Sequence, residues 1–162
     1  MPAPLTALLY IMKRVLPWLA AALLLAAGFP ALGSSVFHPL TPGNLQDERF
    51  RFQIGSKKEA DGSVGFTVVV SGKSEDFVSP GAGVSMVTLT ATSEEIKGAS
   101  VPEQEVKTPT SITCTFTVPA ESLKDPDLCY VFANYVQMLV NGKMAPMPAV
   151  DFYYARLKDF AK

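Results

Sequence analysis

Few side chains in this 162-residue chain have both the type and the company to do chemistry. Cys114 and Cys129 are its two cysteines, with 14 residues between them. Each lies on the apolar side of an alternating run. In an oxidising compartment the pair is expected to form a disulfide, worth about 3 kcal/mol in the chain-entropy model. No C-x-x-C arrangement points to a redox or metal pair. His38 is the only histidine, so any Ser-His-Asp or Cys-His mechanism would have to run through it, and nothing places a nucleophile beside it. Zinc bound by Cys and His needs more ligands than these. Met138, Met144 and Met147 flank Asn141-Gly142. Thioethers favour Cu(I), so these three with His38 form an alternative metal site, although methionine in a half-buried hairpin usually fills gaps. Glu121, Asp125 and Asp127 share the stretch "ESLKDPD". They offer oxygens to Ca²⁺ but lack the EF-hand order, which makes them a solvated acidic turn. No G-x-S-x-G, P-loop or dinucleotide fingerprint is present, and no carboxylate pair stands out for acid–base work. The residues point to a chain that is not an enzyme and needs no cofactor.

The elements that must position these residues are short and alternate with a period of two. In "RFRFQI" Phe50, Phe52 and Ile54 share one face, with Arg49, Arg51 and Gln53 on the other. "GFTVVVS", "MVTLTAT" and "SITCTFTV" repeat the pattern, the last placing Ile112, Cys114, Phe116 and Val118 opposite Ser111, Thr113, Thr115 and Thr117. Successive strand side chains point to opposite faces, so each run has one buried and one wet side. "LCYVFANYVQMLV" and "AVDFYYARL" follow, and Gly-, Pro-, Asp- and Ser-rich text separates all six runs. The expectation is an all-β domain, an antiparallel β-sandwich of immunoglobulin-like kind with six to seven strands. A small β-barrel is the runner-up. Asn141-Gly142 predicts a two-residue turn that sets Cys129 opposite Tyr154 and Val131 opposite Phe152. Pro146 and Pro148 on the return side weaken that register.

The stretch "DLCYVFANY" resembles the cysteine-bearing late strand of immunoglobulin-like domains over nine residues. The chain departs from antibody-type domains in its shorter cysteine spacing. Its single Trp, Trp18, lies in the N-terminal apolar stretch, so no tryptophan is left to pack on an inter-sheet bridge.

That apolar stretch is Val15 to Phe29, preceded by Lys13 and Arg14 and followed by Ala31-Leu32-Gly33. A basic start, a short apolar run and small residues before a cut are the pattern of a secretory signal peptide. A spanning helix wants about 20 apolar residues. Residues 1–33 are expected to be a cleaved leader, with Met12 a possible start and an uncleaved anchor the rival. Residues 34–48 would be a loose N-terminal lead, with Ser34 to Asn44 alternatively an irregular first strand, and 49–162 the single domain. Removing Lys13 and Arg14 leaves 12 basic and 15 acidic side chains, with no basic stripe for nucleic acid.

If Cys129, Val131 and Ala133 face the core, Tyr130, Phe132 and Tyr153 face out. An apolar outer face needs a cover or a partner. The sequence therefore suggests an exported, secreted or periplasmic, non-catalytic binding or structural module. It would touch a protein or carbohydrate through Tyr130, Phe132 and Tyr153, bind no nucleic acid and keep no membrane span after cleavage. A periplasmic Cu(I) carrier and a hydrolase with an unrecognised site are the alternatives.

Overall fold

The computed structural model describes residues 35–89, 94–100, 102–136, 139–140, 143–144 and 149–162. Residues Gly33–Lys162 form one compact unit. Its strands are β1 (Ser35–Leu40), β2 (Phe50–Lys58), β3 (Val64–Gly72), β4 (Gly81–Leu89), β5 (Glu94–Ser100), β6 (Gln104–Thr108), β7 (Ser111–Val118), β8 (Leu128–Val136), β9 (Leu139–Val140), β10 (Lys143–Met144) and β11 (Ala149–Arg156). No α-helix occurs among the described residues. A five-stranded sheet runs β1-β11-β8-β4-β5 and a four-stranded sheet β2-β3-β7-β6. All pairs are antiparallel except β1 with β11. Among the described residues no helix is long and apolar enough to cross a membrane; the N-terminal apolar stretch lies outside them.

Alternation explains the four-stranded sheet directly. Phe50 and Phe52, Phe66, Val68 and Val70, and Ile112, Cys114, Phe116 and Val118 all point into one core. Two strands exceed what the alternation shows. "SEEIKGASVPEQEVKTPT" reads as turn text but holds β5 and β6, both at sheet edges. An edge strand needs no hydrophobic stripe, and charge on it discourages pairing with other chains. Glu105 on β6 even turns inward, accepting a 3.7 Å contact from the Cys114 thiol. Within the expected N-terminal lead, residues 35–40 form β1, the first-strand alternative, laid parallel along the last strand with His38 opposite Tyr153.

The late hairpin shows how two signals combined. β9 and β10 keep the register of a two-residue connection, Lys143 opposite Val140. In the main ladder Phe132 faces Tyr153 and Cys129 faces Arg156, two residues away from the expected register. Between the two ladders the outgoing side has residues 137–138 and the returning side 145–148, which include Pro146 and Pro148. A shift of two keeps every side chain on its face, whereas a shift of one would invert them.

The face turned inward is the opposite of the expected one. β8 is apolar on both sides, so alternation alone cannot choose. The facing sheet chooses: Phe50 lies 5.1 Å from Phe132 and 5.4 Å from Tyr153, centroid to centroid. Phe116 stacks on Tyr130 at 6.1 Å. The larger aromatic set fills the space between the sheets, and the smaller Cys129, Val131 and Ala133 go outside. Replacing Phe132 by Ala should cost about 3–5 kcal/mol, the range for a buried aromatic. Replacing Tyr135, on the other face, should cost less than about 1 kcal/mol. Urea unfolding of the two variants checks this, and equal losses would reverse the assignment of faces.

Candidate functional site

The structure removes the aromatic trio from the surface. Tyr130 and Phe132 are 0% exposed and Tyr153 is 2% exposed, so the contact face expected from them does not exist. The disulfide falls for the same reason. Cys114 points between the sheets, whereas Cys129 points to the outer side of its own sheet with Val87, Val131 and Tyr154. Both are buried and neither is in a disulfide. Tyr130, one residue along from Cys129, is what meets Cys114. Burial, with the Glu105 carboxylate beside it, pushes the Cys114 thiol up to about 11. It is protonated at neutral pH and a poor nucleophile.

Of the alternative copper ligands, Met138 and Met147 lie outside the described residues, as does the side chain of Met144. Among the described residues no group of three or more His, Cys, Asp or Glu side chains could hold a metal. The acidic loop serves its own turn. Asp125 accepts the Asp127 amide at 2.9 Å, and Glu121 pairs with Lys124 at 2.7 Å.

His38 belongs to a polar cluster that fastens β1 and the following turn to the domain. Its ring stacks on Tyr153 at 4.5 Å, and Nε2 lies 3.5 Å from an Asp151 oxygen. Arg49 donates to the other Asp151 oxygen at 2.6 Å and reaches the Asp76 carbonyl at 3.3 Å. The Tyr153 hydroxyl donates to Asp47 at 2.5 Å, and Asp47 also accepts the amides of Arg49 and Phe50 at 2.8 and 2.7 Å. Burial alone would raise the Asp47 pKa, but these hydrogen bonds outweigh it and hold the carboxyl below its ordinary value. Burial and the Asp47 carboxylate hold the Tyr153 hydroxyl far above its ordinary range, so it stays a donor. The carboxylates of Asp47, Asp76 and Asp151 are each engaged by neighbouring donors, which fastens these segments together.

Among several shallow cavities of the described residues, one is a groove on the outer side of the five-stranded sheet. It has a volume of about 240 Å³ and is lined by Gly81, Ala82, Gly83, Ser85, Val131, Ala133, Tyr135 and Phe152. The register sets Gly81 opposite Ala133 and Gly83 opposite Val131, so small residues form the floor. Phe152 faces Ala133 from the other neighbour and stacks on Phe37 at 5.1 Å. Tyr135 stands 40% exposed at one end. At the other, Ser85 is 4% exposed and its hydroxyl has no hydrogen-bond partner among the described residues. Gly83 is required where it is, because a Cβ there would meet the Ser100 carbonyl oxygen at 2.5 Å.

A pinned loop feeds this groove. Asn134, 0% exposed, accepts the Val78 amide at 3.0 Å and donates to the Asp76 carbonyl at 2.8 Å. The Tyr135 amide donates to the Val78 carbonyl at 3.0 Å. Next to these bonds Ser79 has φ +46°, a left-handed conformation that is costly for a serine followed by proline. Reading the sequence missed the groove because "SPGAG" looks like turn text. The available sign was glycine at 81 and 83, which share one face of a strand.

No protein-family model, curated protein or solved structure matches this chain.

The Asp47 bonds have a pH consequence. A carboxyl held below its ordinary value of 3.8 stabilises the fold above that pH, and the contribution is lost as pH falls through the lower folded value. Asp47→Asn should therefore be less stable than the native chain at pH 7. The gap should narrow below about pH 4 as the native carboxyl takes up its proton. Urea unfolding from pH 7 to 2 measures it, and a constant gap would contradict the linkage.

Proposed function

We propose that this chain is an exported, secreted or periplasmic, non-catalytic binding module, an immunoglobulin-like sandwich that holds a protein partner against the outer side of its five-stranded sheet. The observation that carries this reading is the contrast between the two outer faces. On the four-stranded sheet the outward residues include Arg51, Gln53, Lys57, Thr67 and Thr117, all exposed, which is what a solvated face needs. On the five-stranded sheet they include Phe37, Val131, Ala133, Tyr135, Phe152 and Tyr154, with Ser85 and Arg156 at one end. An apolar outer face with an accessible groove is unusual on a domain that works alone and is a common mark of a contact surface. The sugar-binding form of the reading is weaker, because the groove lining offers only the hydroxyls of Ser85 and Tyr135 and no charged side chain, whereas a sugar ring needs several directional hydrogen bonds.

Tagged chain recovered from the exported fraction should carry a partner, and Tyr135→Ser should lose it while far-UV circular dichroism and Tm stay as in the native chain. Undiminished capture by that variant would count against this face. The export half of the reading is checked separately by intact mass: the exported chain should begin at Ser34, and a chain that keeps residues 1–33 would refute it.

A further inference from the structure

We infer that the free edge of β2, from Ile54 to Lys58, is a strand-addition site for an extended, acidic segment of another protein. The site belongs to the four-stranded sheet and does not rest on the partner-face reading.

The backbone defines the site. β2 ends its sheet, with β3 on one side only. In an antiparallel ladder the residues that bond to the neighbour alternate with residues that do not. The Glu59 amide donates to the Ser63 carbonyl across the hairpin at 2.9 Å, so the odd-numbered residues of β2 bond to β3. The even-numbered ones point away. The chain itself uses the first of these. The Asp47 amide donates to the Phe50 carbonyl at 2.9 Å, and the Phe52 amide donates to the Leu45 carbonyl at 2.7 Å. On the far side of Leu45, Thr41 and Asn44 close a turn on each other, and the chain leaves the edge for β1. Among the described residues no backbone bond meets the outward groups of Ile54, Ser56 or Lys58. That open row spans the last five residues of β2, roughly 17 Å at the ordinary strand rise. Only another extended backbone repeats donors and acceptors at the same interval.

Side chains narrow the occupant. A cavity of about 330 Å³ opens along this stretch, with Pro42, Leu45, Ile54 and Phe160 as its apolar lining. Leu45, Ile54 and Phe160 also pack with the core between the sheets. An apolar side chain on the added strand would therefore extend that core. Charge separates self from partner. Lys162 lines the cavity and Lys58 ends the strand, and neither is ion-paired among the described residues. Lys57 is paired with Glu59 at 3.6 Å, and Asp159 also lines the cavity. A second copy would bring the same lysines against these, and lysine on an edge opposes such pairing. A segment carrying Asp or Glu meets the opposite sign.

The test titrates three capped peptides into the exported chain and follows backbone amide resonances. They are Glu-Val-Thr-Val-Glu, its counterpart Lys-Val-Thr-Val-Lys, and the acidic peptide with every backbone amide methylated. The acidic peptide should shift Ile54, Ser56 and Lys58 saturably and slow their hydrogen exchange. Gly55 and Lys57, already bonded to β3, should keep their exchange rates. The lysine peptide should bind about 2- to 5-fold more weakly, the worth of one exposed ion pair, and Lys58→Gln should narrow that gap. Lys58→Pro removes one outward amide, which an edge strand tolerates. Its Tm should hold while acidic-peptide binding falls about 2- to 10-fold, the worth of one hydrogen bond. Tyr135→Ser should leave all three titrations unchanged. No saturable change at the three even-numbered amides, or equal binding of the methylated peptide, overturns the strand-addition site. Loss of peptide binding in Tyr135→Ser places the peptide on the outer face and overturns it too. Equal binding of the acidic and lysine peptides overturns the acidic occupant. Slowed exchange at those amides that grows with protein concentration and needs no peptide makes a second copy the occupant and overturns the inference.

Discussion

The fold depends on Phe50 reaching across the gap between the sheets to Phe132 and Tyr153. The three rings lie 5.1 to 5.9 Å from one another, centroid to centroid, with Phe50 edge-on to the other two. Aromatic pairs prefer such edge-to-face geometry. This contact decides which side of β8 and β11 is inside. The choice carries the rest with it. Tyr130 is drawn under Phe116, Asn134 is placed where it can pin the loop before β4, and Cys129 is sent to the face away from Cys114. Because strand side chains alternate strictly, one residue cannot turn without turning its whole strand.

Polar groups complete what the rings begin. Asn134 and Asp151 sit on the core side of β8 and β11, in line with Phe132 and Tyr153 but nearer the rim. Asn134 is fully buried and bonded on both its oxygen and its nitrogen. Asp151 takes Arg49 and lies beside His38. Buried polar groups are tolerable only when satisfied, and here satisfaction fixes β1, the turn around Asp47 and the loop before β4 to one end of the domain. The residues that looked most like chemistry, the lone histidine and the nearby carboxylates, are spent on this fastening. The groove on the opposite side of the sheet takes no part in it.

Much of the β pattern was legible along the chain. "RFRFQI" and "SITCTFTV" became half-buried strands with the expected sides inward, because in each one face is apolar and the other polar. "LCYVFANYV" was legible as a strand but not in orientation, since Tyr130, Phe132, Val131 and Tyr135 offer apolar candidates on both sides. β5 and β6 were hidden by their charges, which edge strands tolerate. The Asn141-Gly142 connection gave the register of β9 with β10, but four residues on one side against two on the other carried the main ladder off that register.

The sequence by itself determined that the domain is all-β and which side of the four-stranded sheet is wet, since alternation between polar and apolar residues is a local property. It could not determine which apolar side of β8 is buried, whether two distant cysteines meet, or that glycines 81 and 83 line a groove instead of a turn. Those depend on which rings arrive from the other sheet and on strand neighbours far away in the chain. They were decided only when the two sheets closed over Phe50.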